Sequence, residues 1–153
     1  MKSMIKKTAG LLAFAFALSS FSPMPGGEGF EVFLNNKLIL ERFGKNLDQV
    51  QTIRLSESSP GDELTVKYHH CGRVGKNRVL TIKDGNNQTL KSIRFADVNY
   101  ERGGMSCRVK EIISLKKGNH SVLKLYYSSS ELPDGRLLAS LVTEKQATAS
   151  LLR

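Results

Sequence analysis

The residues best equipped for chemistry lie in two short stretches, HHCGRVGKNR at 69–78 and MSC at 105–107. His69 and Cys71 are two apart, as are Met105 and Cys107, and residues two apart in a strand share a face. Imidazole, thiolate and thioether together suit a soft ion such as Cu(I). His69, Cys71, Met105 and Cys107 are therefore the candidate metal set. His70 points away from His69 in a regular strand and shares a face with Leu64, Val66 and Tyr68. That placement predicts a satisfied, partly buried histidine rather than a ligand. Arg73, Lys76 and Arg78 give the glycine-rich turn that follows a candidate anion contact. The turn is not a phosphate-binding loop, because the G-x-x-x-x-G-K-[ST] spacing is absent.

Other chemistries find less support. The chain has no G-x-S-x-G elbow and no H-E-x-x-H pair. His120-Ser121 lacks a placed acid. Asp84 and Asp134 each precede a glycine in a turn, where aspartate has a structural job. Asn87-Gln88-Thr89 and Asn119-His120-Ser121 match the glycosylation pattern and are read as chance matches. Tyr68, Tyr100, Tyr126 and Tyr127 are candidates for a stacking platform, although Tyr126 and Tyr127 face opposite ways on a strand, so at most one is core. No catalytic residue and no cofactor is expected.

The compartment decides between metal and disulfide. Lys2, Lys6 and Lys7 precede an apolar run from Ala9 to Leu18, and small residues follow, the layout of a secretory signal peptide over 1–22 cut between 19 and 22. The run is about ten residues, against about twenty for a bilayer span. No transmembrane anchor is expected after cleavage. In an oxidising compartment the chain's two cysteines, Cys71 and Cys107, are most simply a disulfide. Closing that loop removes about 3–4 kcal/mol of denatured-state freedom in the chain-entropy model. The competing soft-metal site needs both thiols reduced.

The formal charge of the 153 residues is +9. It falls to about +6 without the three signal lysines, a value compatible with acidic partners. The basic residues are spread along the chain rather than clustered, and nucleic acid is not an expected partner.

The elements that position these residues read mainly as strands. PMPGGEG at 23–29 is a linker, followed by one domain over 30–143 and a polar tail over 144–153. Phe30, Val32 and Leu34 alternate with polar or outward residues, and Asn35-Asn36 suits a tight turn into a return strand from Leu38 to Phe43. Val50–Leu55 is a third strand, and SESSPGD at 56–62 is loop. Leu64, Val66 and Tyr68 alternate with Thr65, Lys67 and His69. Val79–Lys83 and Leu90–Phe95 flank a hairpin loop, DGNNQ. Leu123, Leu125 and Tyr127 alternate, SSSELPDG at 128–135 is loop, and Leu137, Ala139 and Leu141 line one face of a last strand. VKEIISLKKG at 109–118 breaks this rhythm with helical spacing and predicts a short helical turn near 109–117. Eight or nine short strands predict a mainly β protein, an antiparallel β-sandwich of jelly-roll-like form.

LTVKYHHCGRVGKNRVLTIKDGNNQTLKSIRF and MSCRVKEIISLKKGNHSVLKLYYSSSELPDGRLLASL together resemble a group of small secreted proteins from Gram-negative bacteria. The resemblance spans about residues 30–142. It implies a β-rich domain with Cys71 and Cys107 as a matched pair, and it carries no catalytic residue. The signal, the strand pattern, the cysteine pair and the missing catalytic motifs together point to an exported, non-enzymatic accessory whose partner is an envelope ligand or protein.

Overall fold

The computed structural model describes residues 27–56, 61–98, 103–116 and 122–144. The expected signal peptide, the start of the linker, Tyr100, the His120-Ser121 pair and the tail from residue 145 lie outside the described residues.

Alternating burial builds the first sheet. In β1 (Gly29–Leu34) Phe30 and Val32 are fully buried, while Glu31 and Phe33 are partly exposed. Asn35 and Asn36 both take positive φ, at 51° and 64°, the backbone of a tight hairpin turn. They return the chain into β2 (Lys37–Phe43). On the other side of β1 lies β4 (Glu63–His69), and β7 (Met105–Arg108) follows, so the sheet order is β2-β1-β4-β7.

The second sheet has five strands. They are β3 (Gln51–Ser56), β5 (Val79–Lys83), β6 (Thr89–Arg94), β8 (Leu123–Ser129) and β9 (Leu132–Glu144), in the order β3-β9-β8-β5-β6. Inward side chains of both sheets form one hydrophobic cluster, including Phe30, Val66 and Met105 from one sheet and Leu80, Leu125 and Leu138 from the other. The protein is a mainly β, two-sheet sandwich of nine strands among the described residues. Asp84 does the turn work expected of it, accepting hydrogen bonds from the Asn86 and Gln88 N–H groups at 2.9 Å.

The expected helical turn is α1 (Val109–Ser114), which buries Val109 and Ile112. The Val109 N–H, which no helical carbonyl can satisfy, donates to Asp62 O at 2.8 Å. Among the described residues, no helix is long and apolar enough to cross a membrane.

Three features depart from the sequence reading. First, β3 pairs parallel with β9, from Gln51↔Ala139 to Ser56↔Glu144, in an otherwise antiparallel fold. The chain leaves β2 through a 3-10 turn at Gly44–Asn46 and changes sheet, so no hairpin dictates the direction of β3. Second, the segment 128–135 is largely strand. Only Ser130 and Glu131 separate β8 from β9, and the surplus residues Pro133–Gly135 form a bulge between the Ser129↔Leu132 and Tyr127↔Arg136 pairs. Bulges accommodate proline, and Gly135 takes a φ of 72° that favours glycine. Third, another shift between Leu125 and Tyr126 moves the last strand's pattern. Leu138 and Ala139 are fully buried, whereas Leu137 pairs with Tyr126 and stays partly exposed.

Candidate functional site

β4 delivers the HHC stretch, and the turn after it disperses the candidate ligands. His69 lies on the outer face, hydrogen-bonded to Glu31 Oε2 at 3.0 Å and stacked on Phe43 with ring centroids 5.8 Å apart. Phe43 reaches it by crossing Gly29, where any Cβ would run into the ring. His70 and Arg73 exchange backbone hydrogen bonds of 2.8 and 3.1 Å, and Cys71 and Gly72 between them take φ of 51° and 82°. This tight turn leaves Cys71 exposed at its tip.

Cys107 is elsewhere. It stands opposite Leu64 near the start of β4, with its thiol donating to Leu64 O at 3.6 Å. About seven residues of strand at 3.3 Å each put roughly 20 Å between the two cysteines. A disulfide needs Cα atoms within about 7 Å. The expected Cys71–Cys107 bond is therefore not formed, and both thiols are free. The soft-metal set fails to converge for the same reason and one more. Met105 and Cys107 face the core with their partners Val66 and Leu64, while His69 faces outward. Among the described residues, no group of three or more His, Cys, Asp or Glu could hold a metal ion.

The basic turn divides too. Arg73 and Lys76 are exposed, but Arg78 is 2% exposed, donating to Gly103 O at 2.6 Å and Ala96 O at 2.7 Å. Arg78 thus anchors the chain that follows β6 and is not an anion contact.

The far end of β4 carries a polar cluster that sequence reading found only in part. Tyr68 and Tyr127, one from each sheet, stack with centroids 4.2 Å apart and planes 13° from parallel. His70 shares hydrogen bonds with Tyr127 Oη at 3.0 Å and Ser129 Oγ at 3.2 Å. It is the satisfied histidine that the alternation predicts. Tyr68 donates to Glu28 Oε1 at 2.7 Å and accepts from Arg136 Nε at 3.0 Å, and Arg136 also reaches Asp48 at 2.9 Å. Glu28, placed by sequence in the linker, is part of the domain. Burial pushes the Tyr68 hydroxyl well above its ordinary range, raises that of Tyr127 and holds the His70 imidazole below its own. For Glu131 burial acts upward, but hydrogen bonds from the Lys76 and Glu131 N–H groups and from Ser129 outweigh it and lower the carboxyl. Gly75 closes the cluster: a Cβ there would sit 2.5 Å from Tyr127 Oη and 2.8 Å from His70 Nε2. Tyr126, by contrast, lies outside under the Lys83 ammonium, 4.5 Å from the ring centre.

At the opposite end of β4 a cleft of about 400 Å³ opens between the two sheets. Lys91 and Ile93 of β6 line one side, and Ser106, Cys107 and Arg108 of β7 the other. Glu63 and Glu111 complete the rim. Lys91 Nζ meets Glu111 Oε2 at 2.6 Å, which lowers the Glu111 carboxyl. Burial, reinforced by the Glu111 charge, pushes the Cys107 thiol up to about 11. A thiol so held is protonated near neutrality and is a poor nucleophile. Of these residues only Cys107 was a sequence candidate. The others carry no local signal, because β6 and β7 meet only when the two sheets stack.

No known protein-family model matches the chain, and no curated protein is detectably similar to it.

Proposed function

We propose that the protein is an exported, non-enzymatic binding module of the bacterial cell envelope that takes its ligand in the cleft between β6 and β7. The observation that carries this reading is the cleft itself. It sets a half-buried apolar residue, Ile93, and an unreactive thiol, Cys107, beneath charged groups of both signs. A small apolar floor beneath a polar, charged rim offers a ligand both packing and hydrogen-bonding partners. The histidine and tyrosines at the other end are tied into hydrogen bonds that join the sheets, which favours a structural role for them. The signal-like start of the chain supports export.

The test is a titration of isotope-labelled protein, purified after export, with envelope components: peptidoglycan fragments, lipopolysaccharide, anionic vesicles and envelope-derived peptides. Amide shifts at Lys91–Ile93 and Ser106–Arg108 are the expected result. Turnover of any of these components, lost on a point variant, overturns it, as do shifts confined to other surfaces.

A further inference from the structure

The cleft is flanked by two strand edges that nothing pairs among the described residues. β6 is the last strand of its sheet and β7 the last of the other, and both border the same opening. Free strand edges present rows of backbone donors and acceptors. A strand laid along β6 would extend the five-stranded sheet, and every second side chain would enter the cleft beside Lys91 and Ile93.

Charge selects the occupant. Lys91 and Arg94 are the charged residues of β6, a strand with no carboxylate, while across the opening Arg108 is balanced by Glu63 and Glu111. Arg94 and Arg108 are exposed. A second copy of this chain pairing antiparallel through the middle of β6 would set the Lys91 of one copy opposite the Arg94 of the other, and like charges directly opposite destabilise a pair. Lysine and arginine on an edge guard against such self-pairing.

Resting on the binding-module reading above, we infer that the ligand is an extended acidic peptide segment of another protein, added as a strand to the free edge of β6. Its carboxylates lie beside Lys91 and Arg94, and an apolar side chain between them packs on Ile93. Main-chain hydrogen bonds supply sequence-tolerant affinity, and the two cations of β6, Lys91 and Arg94, supply the preference for acid.

The experiment uses a nine-residue peptide with glutamate at every third position and valine between, so that carboxylates can stand opposite both Lys91 and Arg94 with a valine opposite Ile93. Its controls are the same peptide with lysine for glutamate, a version N-methylated at alternate amides, and heparin as a non-peptide polyanion. The acidic peptide is expected to bind, to protect the β6 amides from hydrogen exchange, and to bind at least tenfold more weakly after Arg94→Glu, an exposed change that leaves the core intact. The lysine and N-methylated peptides are expected to fail. Equal binding of the N-methylated peptide, or heparin displacing the peptide with the same β6 shifts, overturns the strand inference but leaves a binding module. Binding of a glycan or lipid in the cleft while all peptides fail has that same meaning. No shift at the cleft with any probe, peptide or envelope component, overturns both.

Discussion

β4 runs from the cleft at Glu63 to the polar cluster at His70, and its two ends handle the same residue types in opposite ways. At the His70 end, tyrosine, histidine, arginine and carboxylates from both sheets are bonded to one another, and the aromatic rings stack between the sheets. At the Glu63 end, lysine, arginine and glutamates line an opening, and their one close pair, Lys91–Glu111, is 34% and 48% exposed. Buried polar groups are stabilising only when satisfied, so the closed end is committed to the fold. Surface ion pairs contribute little, which leaves the open end free for recognition. Substitutions should therefore separate the two ends: stability at one, binding at the other.

The largest effect is expected at Tyr127, which is fully buried and stacked on Tyr68. Tyr127→Ala should lower unfolding free energy by about 3–5 kcal/mol in chemical denaturation. A loss below about 1 kcal/mol would show that the closed end does not hold the sheets together. Gly75→Ala comes next. Its new methyl would stand 2.5 Å from Tyr127 Oη and 2.9 Å from Glu131 Oε2. Overpacking of this kind costs about 1–3 kcal/mol, and a neutral result would mean that the cluster yields easily.

How much of this contrast was legible before the fold was known differs by element. Phe30/Val32, Leu64/Val66/Tyr68 and Leu123/Leu125/Tyr127 alternate strictly, so their strands and inward faces were readable from local pattern, as was the side on which His70 lies. The last strand was misread around Pro133–Gly135 because residues that punctuate a loop also form a bulge. The cysteine pair was misread because composition and compartment speak to oxidation, not to distance. The cleft was invisible for a different reason: Lys91 and Arg108 become neighbours only through the stacking of two sheet edges. The parallel β3–β9 pair is equally nonlocal.

A smaller effect is expected with pH. Burial holds His70 below its ordinary pKa of 6.5, with Glu131 and Glu28 acting the other way and Arg73 and His69 reinforcing the shift. Tyr127 and Ser129 face it across the hydrogen bonds. The unfolded chain therefore takes up a proton at His70 before the folded one does. The unfolded state then binds more protons, so stability falls as pH drops below about 6.5 and stops falling, for this group, below the folded pKa. Above 6.5 the imidazole is neutral in both states and contributes no slope. His70→Gln should flatten the melting temperature between pH 7 and 5. An unchanged slope would place the pH dependence in other groups.

The smallest effect on stability belongs to the open end, and it can be read through the Cys107 thiol. Glu111→Gln removes the charge that pairs with Lys91 at 2.6 Å, yet the carboxylate is exposed, so the melting temperature should stay within error of the parent. The thiol should still notice. The Glu111 charge holds the Cys107 pKa up and the Lys91 charge pulls it down, both acting on a group already raised by burial. Removing Glu111's charge should therefore speed alkylation of Cys107 at fixed pH, and Lys91→Met should slow it. Cys71, exposed at its turn, provides the fast internal reference. Opposite shifts in rate with no shift in melting would show that the cleft's charges act on its interior without supporting the fold. A matching loss of stability in both variants would instead make the cleft a second structural clamp, and the contrast between the two ends of β4 would disappear.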